Sequence, residues 1–77
     1  MMNIKEIRGT VKSYFALISN DKMADKLRAR RLATLREAID KCSNVLVMEA
    51  VRKELKGTNG SFVYKLFLEN ILLTEKF

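Results

Sequence analysis

The densest run of chemically active side chains in this 77-residue sequence is Lys26-Leu27-Arg28-Ala29-Arg30-Arg31. On a helix, Lys22, Lys26 and Arg30 follow one another at i, i+4 and i+8, while Arg28 and Arg31 project elsewhere. The start of that helix is therefore basic around much of its girth. Lys5, Arg8 and Lys12 form a second basic row along one flank of an earlier helix. Such arrays suit phosphate backbones, because each phosphate neutralised by a cation releases a counterion. Arginine adds two-pronged hydrogen bonding to the same oxygens. An acidic protein surface is the other chemistry that would select them. The blander role is a solvated face, in which Asp21 and Asp25 pair with Lys26 or Arg28.

Catalytic equipment is sparse. The sequence has no histidine, which removes imidazole bases, His-based triads and His-containing zinc sites. Its single cysteine, Cys42, forms no internal disulfide and cannot build a four-thiolate zinc site. Cys42 falls on an apolar stripe and reads as a small core residue. Glu37 with Asp40, and Asp21 with Asp25, are carboxylate pairs at helical spacing. They fit helix-start charges and ion-pair partners better than a magnesium site. The expectation is a non-catalytic protein with no metal, no cofactor and no small-molecule substrate.

The elements that must position the basic rows follow from periodicity and caps. Apolar residues make up 48% of the chain, too many for a disordered segment, and there is no proline and no linker. One all-α domain over 1–77 is expected, a small bundle of four helices at about 4–18, 21–42, 45–56 and 62–76. Asn3 with Glu6 forms a helix-start box. Ile4, Ile7, Val11, Phe15 and Ile18 then recur at helical spacing. Ser19-Asn20-Asp21 restarts the chain, and the second helix has no breaker before Ser43-Asn44. Arg28 and Arg31 interrupt its apolar face, so its basic start is expected to protrude. Ser43-Asn44 caps the third helix, Gly57 is expected to end it in a left-handed conformation, and Ser61 caps the fourth. Asn59-Gly60 is also a hairpin signal. Residues 52–68 are read as helix–turn–helix in preference to paired strands.

Ala38, Cys42, Met48 and Val51 have the small–small–apolar–apolar spacing of a helix-turn-helix, and the turn at Cys42-Ser43-Asn44 has the right length. Residues 34–55 thus resemble that group loosely. A helical hairpin serving only core packing is the competing interpretation, because Asn44 alone at the start of the second helix suits base-edge contacts.

Net charge is +6, from fifteen Lys and Arg against nine Asp and Glu. The excess lies in residues 1–43, whereas 61–77 is neutral. The fourth helix is apolar around most of its circumference. Tyr64, Leu68 and Leu72 are expected to be left over after intrachain packing and to join two copies as a homodimer. Asn70 would lie on the opposite, core-facing side with Phe62, Leu66, Leu73 and Phe77, where its buried amide either pairs with its own copy across a two-fold axis and fixes register or bonds locally. The expected function is a small regulatory protein binding nucleic acid or a nucleoprotein through helices one and two, of a type suited to a phage or plasmid accessory protein. The alternative is an inhibitor or adaptor docking on an acidic protein surface. No apolar run is long enough to span a membrane and the first residues lack a signal-peptide core, so a cytoplasmic location is expected.

Overall fold

The computed structural model describes residues 1–77 as four helices and no strand: α1 (Ile4–Ile18), α2 (Asp25–Asp40), α3 (Asn44–Gly57) and α4 (Phe62–Thr74). Local capping chemistry sets three of the four starts. Asn3 Oδ1 accepts the Glu6 N–H at 2.8 Å while Glu6 Oε1 accepts the Asn3 N–H at 3.0 Å, a reciprocal box that satisfies two orphan donors. Ser43 accepts from the Leu46 N–H and Ser61 from the Tyr64 N–H. Residues 52–68 are therefore helix, turn and helix, and Asn59-Gly60 lies in the turn.

α1 and α3 pack together at the centre, with α2 against the other flank of α1 and α4 against α3. Ten apolar residues make the core: Ile7 and Val11 of α1, Ile39 of α2, Val47, Met48, Ala50 and Val51 of α3, and Tyr64, Leu68 and Ile71 of α4. An aromatic cluster ties α4 to α1. The Phe15 ring lies 5.0 Å from Tyr64 and 5.1 Å from Phe67, and Tyr14 meets Phe77 edge-on at 4.8 Å. Arg36 of α2 completes it, with its guanidinium over the Phe77 ring and an N–H donated to the Phe77 carbonyl at 3.0 Å.

Three expectations need correction. α2 begins at Asp25, not residue 21, because Asn20 Oδ1 accepts the Lys22 N–H and folds Ser19-Asn20-Asp21 into a turn instead of a cap. Gly57 is not left-handed; no glycine has positive φ. α3 runs directly into extended Thr58, and the left-handed residue is Glu75 at φ 53°, which closes α4 two residues early. A Cβ at Gly57 would lie 3.0 Å from the tip of the Arg8 side chain, which would have to give by a few tenths of an ångström.

The third correction concerns α4, whose two faces are exchanged. Tyr64 is 4% exposed and Leu68 0%, with Leu72 half-buried, so the face expected to join a second copy is the intrachain core. Phe62, Leu66 and Leu73 point outward. A helix apolar all round carries no directional signal of its own. The direction is set by Tyr64, whose hydroxyl finds a partner only toward α3.

Candidate nucleic-acid interface

Glu54 is the one charged residue in the interior, and it joins three helices. Arg8 of α1 donates Nε–H to Glu54 Oε1 at 3.0 Å, and Tyr64 of α4 donates its hydroxyl to Glu54 Oε2 at 2.8 Å. Both carboxylate oxygens are thus satisfied, which is what a buried charge requires. Sequence reasoning missed this network. The signal was present: Glu54 continues the buried row Val47, Ala50 and Val51 of α3, where a carboxylate has no reason to sit unless paired. Burial, then the hydrogen bond to Glu54 and its negative charge, push the Tyr64 hydroxyl above its ordinary pKa of 10.0, with Arg8 opposing.

A raised acid pKa in the folded state means that the contribution of Tyr64 to stability is complete below pH 10.0. It is lost as the pH rises above that value, because only the unfolded chain releases the proton readily. Urea unfolding between neutral pH and the alkaline range is expected to show stability falling more steeply for the wild type than for Tyr64→Phe. Equal slopes would remove the hydroxyl from the cause.

Arg28 is also committed to structure. Its guanidinium reaches back to the carbonyls of Asn20 and Met23 and to the carboxylate of Asp25. It therefore ties the α1–α2 turn to the first turn of α2, whose N-cap, Ala24, has no side chain able to accept from the free N–H groups. The interruption of the apolar face is a clamp. Arg28→Gln is expected to cost about 1–2 kcal/mol, the range for losing charge-assisted hydrogen bonds at a partly exposed site. Amide exchange should accelerate first in residues 25–31. Unchanged protection there would show that the turn stands without it.

The eight expected binding residues thus divide. Arg8 and Arg28 are ion-paired within the chain. Lys5, Lys12, Lys22, Lys26, Arg30 and Arg31 are exposed and hold no ion pair, since the remaining salt bridge is Lys53 with Glu49. These six do not form one surface. Lys12 and Arg8 line an open groove of about 700 Å³ with Glu54, Thr58 and Ser61, on the α3–α4 side of α1. α2 lies against the other flank, where Arg36 reaches Tyr14 and Ala38 and Lys41 approach Met2 and Glu6. The width of α1 separates the two sets.

The α2 set is the denser. Residues 22–33 carry five basic side chains and one acidic, and the acidic one, Asp25, is neutralised by Arg28. At 100° per residue, Lys26, Arg30, Thr34, Leu27 and Arg31 follow one another across the outward side of α2. Asn44, the residue suited to reading base edges, instead donates its side-chain amide to the Glu75 carbonyl at 2.9 Å and ties α3 to the end of α4. No helix is long and apolar enough to cross a membrane, and no three Asp, Glu or Cys side chains converge. No protein-family model, curated protein or solved structure matches this chain.

Proposed function

We propose that the chain is a small non-catalytic protein that binds the phosphate backbone of nucleic acid through the outward face of α2. The observation that carries this reading is that Lys26, Arg30 and Arg31 of α2, and Lys22 in the turn just before it, are all exposed and none is neutralised by a carboxylate of the chain. Their field is available to a polyanion. The Arg28 clamp, by fixing the helix start, holds the row in place before binding, which lowers the ordering cost of association. Phosphate contacts carry no sequence information of their own, so the binding is expected to tolerate changes of sequence. Lys5 and Lys12, across α1, are a separate and weaker group.

An acidic protein surface is the second reading. Leu27, 40% exposed, lies among Arg30, Thr34 and Arg31, and an apolar point inside a basic rim suits a protein partner. Titration of a fluorescent mixed-sequence DNA duplex and of single-stranded RNA, read by anisotropy at low salt, separates the two. Micromolar binding with little sequence preference supports the first reading. Failure of both nucleic acids to bind leaves the second.

A further inference from the structure

Neither the α2 cations nor the Glu54 network uses the outer side of α4, where Phe62, Val63, Leu66 and Leu73 are 73%, 62%, 48% and 83% exposed. At helical spacing these four fall within roughly a third of the circumference. Exposed apolar residues grouped in this way on one helix mark a contact surface.

The occupant is indicated by the face itself. Val63, Leu66, Asn70 and Leu73 follow steps of three, four and three, which places a β-branched residue and an Asn at one heptad position and Leu at the other. In paired helices that composition favours a two-stranded arrangement, and the single Asn fixes the register. Asn70 is exposed and its side-chain amide makes no hydrogen bond within the chain; Thr74 bonds to its backbone carbonyl alone. A side-chain amide carries both donor and acceptor, so a second Asn70 is a complete partner for it.

Charge points the same way. The chain is +6, so two copies meeting through α1 or α2 bring like charges together. Residues 61–77 are neutral, with Lys65 and Lys76 balanced by Glu69 and Glu75, and this is where two copies approach without repulsion.

We infer that the outer face of α4 is a homodimer interface, in which Val63, Leu66 and Leu73 pack on a second copy of this chain about a two-fold axis passing beside Asn70. The assembly goes beyond the nucleic-acid reading and does not depend on it.

Sedimentation equilibrium at micromolar concentration tests the dimer. The wild type is expected at twice the 8.9 kDa chain mass. Leu66→Lys/Leu73→Lys is expected at the chain mass with an unchanged helical circular dichroism spectrum, because both side chains are already in solvent. Asn70→Leu, which removes the register-setting amide, should stay associated and lose the single dimeric state. A wild type at 8.9 kDa throughout overturns the inference. So does a dimer that survives the two lysines, or an Asn70→Leu protein that is monomeric. Lys26→Gln/Arg30→Gln/Arg31→Gln should remain dimeric, so loss of nucleic-acid binding and loss of association are read separately.

Discussion

Glu54→Ala is expected to lower the free energy of unfolding by about 3 kcal/mol, a large share of the stability of a domain this small. Two losses add. The Tyr64 hydroxyl stays buried with no acceptor, which costs about 1–3 kcal/mol. Arg8 loses its partner, but its side chain is partly exposed and rehydrates, so its share is about 1 kcal/mol or less. Glu54→Gln is expected to cost less. Its carbonyl still accepts from Tyr64, although its amide then faces the Arg8 guanidinium donor to donor. The informative comparison is Glu54→Leu combined with Tyr64→Phe, which removes donor and acceptor together and should recover much of the loss. Urea unfolding followed by circular dichroism reads all three. Glu54→Ala within 1 kcal/mol of wild type would mean that the network closes the bundle without stabilising it.

The other large effect is on binding. Lys26→Gln/Arg30→Gln/Arg31→Gln is expected to weaken nucleic-acid affinity about 100-fold or more at low salt, by removing three of four backbone contacts. The fold is expected to survive. None of these side chains makes a hydrogen bond or ion pair within the chain; Arg30 contributes only its carbonyl, to Thr34. Arg28 is excluded from this set, because its loss would disturb the start of α2 and confuse a folding effect with a binding effect.

What could be read in the sequence was what is decided locally. Asn3 with Glu6, Ser43 and Ser61 mark helix starts because their partners lie three residues away. The stripe Ile7–Val11 on α1 and the row Val47–Val51 on α3 are true core faces for the same reason: one side is apolar and the other is not. Where the pattern lacks contrast, the outcome depends on distant partners. α4 is apolar all round, and its orientation follows from Tyr64 meeting Glu54 ten residues earlier. Arg8 resembles Lys5 and Lys12 in sequence but is ion-paired with a carboxylate 46 residues away. Arg28 resembles Arg30 and Arg31 but is held by carbonyls in the preceding turn, acceptors that side-chain patterns do not display. The basic surface was therefore legible as a composition and not as a shape. Two of its eight members are structural and two lie across α1.

The slope of binding affinity against salt concentration tests the central claim most directly. Four phosphate contacts by Lys22, Lys26, Arg30 and Arg31 predict that log K falls with log salt at a slope of about −3.6, so a fourfold rise in salt weakens binding about 100-fold. The triple Gln variant, left with Lys22, is predicted to retain a slope near about −0.9. Equal slopes for wild type and variant, or wild-type affinity indifferent to salt, would contradict a phosphate-binding face on α2.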